Sequence, residues 1–110
     1  MASKYKNVAT AVDNIIFASK KEAARYAELK MLLLSGYIKD LEWQIPYALK
    51  VNGILVCSYV ADFVFEDGAA TVVEDVKPSD PKFRKTQAYR MFRVKQNLML
   101  ACYNIQIREV

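Results

Sequence analysis

Histidine is absent from the 110 residues, and cysteine occurs only twice. Without histidine, the chain cannot use a Ser-His-Asp or Cys-His catalytic arrangement or a histidine-containing zinc site. Any general acid or base chemistry must therefore come from Asp, Glu, Lys, Tyr or Cys. Cys57 and Cys102 lie far apart in apolar runs, so we expect small buried side chains and not a metal pair or a disulfide framework.

Glycine and proline are also scarce, with three of each, which excludes a collagen-like chain or a flexible linker. No stretch approaches the ~20 apolar residues of a membrane span, and the N-terminal segment lacks the apolar core of a signal peptide. Apolar residues make up 54% of the chain and charged residues 25%. This balance is typical of one soluble globular domain, which we expect in the cytoplasm with no membrane partner.

The first third of the chain divides into a polar segment and a helix. Residues 1–17 lack regular patterning and are interpreted as an N-terminal arm, with the apolar run 15–17 docking on the domain that follows. Ser19 is a candidate N-cap, with Glu22 at the spacing of a capping box. Alanine and leucine at helical spacing predict a helix that continues to Gly36, a typical C-terminal signal.

Strand signals dominate the middle of the chain. Apolar residues at period two predict a strand over Leu41–Val51, and Asn52-Gly53 is a strong hairpin turn. A long apolar strand, Ile54–Phe65, follows. A second tight turn at residues 66–68 then leads into a third strand over Ala70–Lys77. The three strands are expected to form an antiparallel meander.

The last third returns to helical spacing. Pro78 and Pro81 bracket a loop, and a second helix is predicted from about Arg84 to Cys102. Residues 103–107 alternate at period two and indicate a short final strand. The order α-β-β-β-α-β predicts an α+β (α/β) fold with a mixed sheet flanked by two helices, in a single domain over residues 18–110.

Positive charge is concentrated in one part of the chain. Residues 77–95 contain seven basic residues and one acidic residue, whereas the remainder has nine basic and eleven acidic residues. The cluster is either a solvated helix face or a surface that contacts nucleic acid phosphates. The candidate nucleic-acid-binding residues are Lys82, Arg84, Lys85, Arg90, Arg93 and Lys95.

Two acidic residues stand at the end of neighbouring strands. Asp62 is the one charge in an apolar strand, and alternation places Asp75 and Lys77 on one face of the next strand, with Glu74 on the other. The hairpin brings Asp62 and Asp75 to roughly paired positions. Either a divalent cation compensates the two carboxylates, or Asp62 forms a cross-strand salt bridge to Lys77 and Asp75 is solvated. Glu74 is expected to be dispensable for chemistry at this face.

The order of these residues resembles the PD-(D/E)xK nuclease superfamily, whose core is restriction-endonuclease-like. The resemblance extends from about Phe17 to Val110. It consists of a helix carrying Glu22, followed by Asp62, then Asp75-Val76-Lys77, and finally a basic helix. Its narrower segments look like a small phage-encoded branch long classed as a domain of unknown function. They are also similar to transposon end-cleaving nuclease subunits and Holliday-junction resolvases. These segments are 17–23, 41–46, 59–63 and 73–77.

The resemblance implies specific roles. Asp62, Asp75, the Val76 carbonyl and Glu22 would bind Mg²⁺ or Mn²⁺, because these hard cations prefer oxygen ligands. Lys77 would position or deprotonate the attacking water. Asp62, Asp75, Lys77 and Glu22 are thus the candidate catalytic residues, although Glu22 also fits a capping-box partner of Ser19.

Two further residues are candidates for supporting the site. Gln44 lies in a Gln-Ile-Pro segment that the resemblance places near the metal, and an ordinary polar strand residue is the other interpretation. Tyr26 follows Glu22 by one helical turn and either supports the site or belongs to the core.

The resemblance therefore predicts a Mg²⁺-dependent DNA endonuclease of phage origin that acts in recombination or replication in the bacterial host cytoplasm. Its small size favours recognition of DNA shape, as in a Holliday junction or other branched DNA, over reading of a base sequence. Cutting two strands would require a homodimer. The competing hypothesis is a non-catalytic nucleic-acid-binding or phage assembly module on the same fold.

Overall fold

A computed structural model describes residues 8–110, and these residues form an α+β fold. A small hairpin precedes the predicted order α-β-β-β-α-β, which is confirmed. The elements are β1 (Thr10–Val12), β2 (Ile15–Phe17), α1 (Lys20–Leu34), β3 (Lys39–Val51), β4 (Ile54–Asp67), β5 (Ala70–Asp75), a 3₁₀ helix (Pro81–Lys85), α2 (Gln87–Tyr103) and β6 (Arg108–Glu109).

The main sheet has the strand order β3-β4-β5-β6 and is mixed, as predicted. β3, β4 and β5 form an antiparallel meander, and β6 pairs in parallel with β5. Asn52 and Gly53 both have positive φ, which is what a tight two-residue hairpin turn requires. The second turn lies at residues 68–69 and not at 66–68, because the ladder continues until Asp67 pairs with Ala70.

The expectation of irregular structure up to residue 17 is wrong for residues 10–17. β1 and β2 form an antiparallel hairpin whose turn residues, Asp13 and Asn14, both have positive φ. Phe17 is 1% exposed and Ile15 packs against the same core, so docking of this run is confirmed at those two positions. The polar arm at Lys4, Lys6 and Asn7 lies outside the described residues.

Both helices begin at hydroxyl N-caps. Ser19 Oγ accepts a hydrogen bond from the Glu22 backbone N–H, so the predicted cap of α1 is confirmed. Gly36 has a φ of 81° and follows the C-cap, Ser35, by one residue. The N-cap of α2 is Thr86, whose hydroxyl accepts from the Tyr89 N–H. The predicted start at Arg84 was too early, because that residue belongs to the 3₁₀ helix.

The final strand lies at Arg108–Glu109 and not at the predicted residues 103–107, so its predicted position is wrong. Tyr103 closes α2, where Asn104 adopts the left-handed conformation that commonly ends helices. Ile107 is buried in the core, but only Arg108 and Glu109 pair with β5. Within residues 8–110, no helix is long and apolar enough to cross a membrane.

Two apolar clusters hold the helices against the sheet. The first joins α1 to the sheet and the N-terminal hairpin through Phe17, Tyr26 and Phe63. The second joins α2 to the sheet through residues that include Tyr59 and Phe92. Cys57 and Cys102 are free and only half-buried, so they are less buried than expected.

Glu74 and its neighbour Asp75 face opposite sides of β5. The Glu74 side chain is completely buried and accepts hydrogen bonds from Arg25 of α1, at 2.8 Å from Nε and 2.6 Å from Nη2. Arg108 of β6 approaches Glu74 Oε2 at 3.4 Å. The predicted opposite orientation of Glu74 is confirmed, and the structure gives it a role that the sequence did not reveal. It connects α1, β5 and β6 through buried charge.

We expect Glu74→Gln to lower the free energy of unfolding by about 3 kcal/mol, because it leaves the Arg25 guanidinium without its buried carboxylate. Urea denaturation monitored by circular dichroism measures this. Glu28→Gln is the matched control, since Glu28 pairs with the same arginine at 3.0 Å but is exposed. That control should cost at most about 0.5 kcal/mol. Equal losses in the two variants would contradict the assigned role of Glu74.

Candidate metal and phosphate site

The carboxylates of Asp62 and Asp75 come together where the β4–β5 ladder ends. The ladder pairs Phe63 with Glu74, so the same register places Asp62 level with Asp75, as predicted. Asp62 Oδ2 accepts the backbone N–H of Val76 at 2.7 Å. This bond ties the carboxylate to the strand end that carries Asp75 and Lys77.

Asp75 is buried and has two side-chain partners. Its Oδ1 lies 2.8 Å from Lys77 Nζ, and its Oδ2 accepts the Tyr59 hydroxyl at 2.7 Å. The sequence-based alternative of a solvated Asp75 and an Asp62–Lys77 salt bridge is therefore wrong. Burial, followed by the charge of Asp75, raises the pKa of Tyr59, so this hydroxyl stays protonated and donates. Tyr59 was missed because its sequence context indicates only an apolar strand residue.

Contacts hold both the side chain and the backbone of Lys77. Its ammonium lies 3.7 Å from the centroid of the Phe92 ring, in the geometry of a cation–π contact. Its backbone N–H donates to the Val110 carbonyl at 3.0 Å, and the Val110 N–H donates in turn to the Asp75 carbonyl at 2.9 Å. The end of β5 is thus held by the C-terminal segment, and the ammonium points to the side of Asp75 and α2.

Glu22 adds a third carboxylate to this neighbourhood. Its backbone N–H satisfies the Ser19 cap, while its half-buried carboxylate accepts a hydrogen bond from the Ala18 backbone. Burial raises the pKa of Glu22, and the charge of Asp75 raises it further, whereas Lys77 opposes the shift. The Glu22 carboxylate is therefore close enough to Asp75 and Lys77 to interact with their charges, and it also accepts a hydrogen bond at the start of α1.

These surroundings disfavour the ionised form of Asp62. Burial raises the pKa of Asp62 to about 7, and the charges of Asp75 and Glu22 contribute to the increase. The hydrogen bond from Val76 and the charge of Lys77 act in the opposite direction. Burial and the charges of Asp75 and Glu22 together disfavour the ionised form of Asp62, and an added cation would favour it.

Asp62 and Asp75 offer hard oxygen ligands, the kind that Mg²⁺ and Mn²⁺ prefer. Within residues 8–110, no three acidic or cysteine side chains converge as a preformed metal cluster. Asp62 and Asp75 remain as an adjacent pair, and Mg²⁺ is commonly held by one or two carboxylates together with water and substrate phosphates. The Val76 backbone lies beside Asp62, where its carbonyl is the remaining predicted ligand.

Gln44 lies level with Asp62 on the neighbouring strand, since Trp43 pairs with Phe63 and Ile45 with Ala61. Its φ of 54° is left-handed, a conformation that is costly for a residue with a side chain. The Gln44 amide donates to the Ile16 carbonyl at 3.5 Å and so reaches the N-terminal hairpin. The strand pairing therefore places the backbone of Gln44 near the carboxylate site, whereas its side chain contacts the N-terminal hairpin.

Tyr26 does not support the carboxylate site. Its ring is buried between Phe17, Trp43 and Phe63. Its hydroxyl donates to Asp13 at 3.0 Å, in the turn between β1 and β2. Of the two interpretations of Tyr26, the core residue is confirmed.

The predicted nucleic-acid-binding residues occupy the 3₁₀ helix and α2. Lys82, Lys85 and Arg90 are exposed. Arg84 donates to the Tyr89 hydroxyl at 2.7 Å and Arg93 to Gln96 Oε1 at 2.7 Å, although both arginines remain exposed. Lys95 is half-buried.

Comparison with known proteins assigns the chain to a family. Residues 2–106 match the family model described as protein of unknown function DUF1064, and the chain belongs to that family. No curated protein and no solved structure matches the chain.

The raised pKa of Asp62 predicts a pH-dependent stability. Between pH 3.8 and about 7, the folded chain retains a proton that the unfolded chain has lost, so stability falls as pH rises through this window. We expect Asp62→Asn to remove this pH dependence, so that the gain in Tm of the variant over wild type is larger at pH 8 than at pH 5. The introduced amide oxygen can still accept the Val76 N–H.

Thermal melts from pH 4 to 8 in EDTA measure the difference between wild type and variant. Asp67→Asn is the control, since Asp67 is exposed at the far end of the same ladder. It should keep the wild-type pH profile. Parallel profiles for wild type and Asp62→Asn would contradict the assigned proton.

Proposed function

We propose that the chain is a Mg²⁺-dependent DNA endonuclease of the PD-(D/E)xK type. One observation carries the proposal: Asp62 and Asp75 lie level at the end of paired strands, with the ammonium of Lys77 2.8 Å from Asp75 Oδ1. Maintaining two adjacent carboxylates at a strand end is costly, and a divalent cation that joins them to a phosphate offsets that cost.

Each residue has a defined part in phosphodiester hydrolysis. Asp62 and Asp75 would hold Mg²⁺ together with the Val76 carbonyl, with Glu22 nearby. Such a cation would neutralise charge on the scissile phosphate and acidify water. Lys77 orients the attacking water and stabilises the developing negative charge. The Tyr59 hydroxyl orients Asp75, because it donates to Asp75 Oδ2.

We expect Asp75→Asn and Lys77→Met each to reduce cleavage at least about 100-fold, because each removes a group that touches the reacting phosphate or its metal. The assay uses labelled four-way junction, flap, duplex and single-stranded DNA with Mg²⁺ or Mn²⁺. Asp67→Asn is the control and should cleave like wild type. Cleavage at wild-type rates in either site variant would exclude this mechanism.

The substrate we favour is branched DNA, including the Holliday junction, cut during phage recombination or replication in the host cytoplasm. The exposed cations of the 3₁₀ helix and α2 support binding to the DNA backbone. Contacts of this kind recognise the shape of the DNA and not its base sequence.

A homodimer would supply two sites for paired cuts. Exposed Ile54, Val56 and Val60 on β4 offer an uncharged surface for the second copy, and sedimentation equilibrium tests this association.

Lys85 and Arg90 provide the test of the DNA surface, because both are exposed and lie on different turns of the basic region. Replacing both with Gln should weaken binding to every DNA substrate and flatten the dependence of log K on log salt by about 0.9 for each lost phosphate contact. Fluorescence anisotropy in EDTA over a salt series measures both quantities. A Lys39→Gln, Lys50→Gln variant of β3 is the charge-matched control. Equal slopes in the two double variants would place the DNA elsewhere.

A non-catalytic nucleic-acid-binding or phage assembly module is the second candidate. It is favoured by the complete pairing of Asp75, whose two oxygens already contact Lys77 and Tyr59. The two candidates differ in their response to metal. The nuclease should gain thermal stability from millimolar Mg²⁺ or Mn²⁺ in a manner lost in Asp62→Asn, whereas the binding module should show no such difference.

A further inference from the structure

A cleft of about 170 Å³ opens next to the carboxylate site. Its walls come from the first turn of α1, the loop that follows β5, the 3₁₀ helix and the C-terminal segment. The residues that define its chemistry are Lys21, Lys77, Ser79, Asp80, Arg84 and Glu109. Lys77 lines this cleft and its ammonium contacts Asp75, so one residue connects the cleft to the candidate metal site.

Lys21 is held in the cleft by neutral oxygen atoms. Its ammonium donates to the Lys77 carbonyl and to Ser79 Oγ, the latter at 3.3 Å. The ion pairs formed within residues 8–110 do not include Lys21. A positioned ammonium without a carboxylate partner is a donor that an incoming anion can use without breaking a salt bridge.

The acidic groups of the cleft are only partly satisfied, because the buried Glu109 Oε1 accepts no hydrogen bond within residues 8–110. Asp80 Oδ1 accepts the Lys82 N–H at 2.9 Å, as the N-cap of the 3₁₀ helix. Glu109 Oε2 accepts the Tyr89 hydroxyl at 3.3 Å, and its Oε1 lies 3.8 Å from Arg84. Neither carboxylate contacts Lys21. Arg84 has further guanidinium donors beyond the one that binds Tyr89, and its side chain is largely exposed.

We propose that this cleft binds a phosphate group of the nucleic acid backbone, next to the phosphate that is cut, with Lys21 as the principal ligand. Ser79 Oγ and Arg84 supply further donors, and the positive end of α1 adds to the attraction. The inference rests on the proposed function for the identity of the polymer. The inference goes beyond the proposed function, because it assigns a position for a second phosphate and a binding residue, Lys21, outside the acidic site.

DNA binding by the full chain in EDTA tests the assignment, with Lys21→Gln, Lys21→Arg and the matched control Lys20→Gln. Lys20 is an exposed lysine on the same helical turn and is not part of the cleft. We expect Lys21→Gln to weaken binding about tenfold, as for loss of a charge-assisted hydrogen bond. It should also reduce the salt slope by about 0.9. Lys21→Arg should restore both quantities, and Lys20→Gln should change affinity less than about twofold.

A merely structural role for Lys21 gives a different result. If Lys21 only fastens the loop after β5, Lys21→Gln will lower the Tm and leave the salt slope unchanged, and the proposal is then wrong. A Lys20→Gln variant that loses as much affinity as Lys21→Gln also overturns it, because the effect would then reflect general charge and not the cleft.

Titration with inorganic phosphate separates this proposal from the nuclease activity. We expect the backbone amide resonances of Ser79 and Asp80 to shift in wild type and not in Lys21→Gln. If these shifts occur in a chain that never cuts DNA, the cleft assignment holds and the proposed function fails. If DNA is cut but neither phosphate nor the salt slope responds to Lys21, the function stands and the cleft assignment fails.

Discussion

Two adjacent carboxylates are buried on β5, and each requires its own cation. Because side chains alternate along a strand, Glu74 projects toward α1 and Asp75 toward α2. Arg25 meets the first and Lys77 the second. Since an unpaired buried charge is strongly destabilising, both helices must pack with these cations in place. The sheet register and the candidate site therefore depend on the same alternation.

The two pairs differ in their capacity to accept a ligand. Glu74 is enclosed, and the arginines from α1 and β6 compensate its charge. Asp75 lies level with Asp62 and near Glu22, and its charge raises the pKa of both. The first pair is enclosed and contributes to stability. The second has acidic neighbours, which is why the proposed metal site is placed on this face of β5.

The sequence predicts features that depend on local periodicity. The meander, the turn at Asn52 and the meeting of Asp62 with Asp75 all follow from period-two alternation and turn chemistry. Long-range partners leave no such signal: Tyr59 reaches Asp75 only because β4 and β5 pair and the sheet twists. The N-terminal hairpin was missed because its strands have three residues each, although Asp13-Asn14 is a recognisable turn pair.

The left-handed backbone at Gln44 also affects how the molecule meets its neighbours. Among the described strands, β3 forms one edge of the main sheet and is 13 residues long. An exposed edge of that length is a template for adding strands from other molecules. The backbone reversal at Gln44, the absence of an N–H at Pro46 and the register shift between Lys39 and Glu42 interrupt the row of donors and acceptors. Irregularities of this kind are the devices by which natural edge strands limit pairing with strands of other molecules.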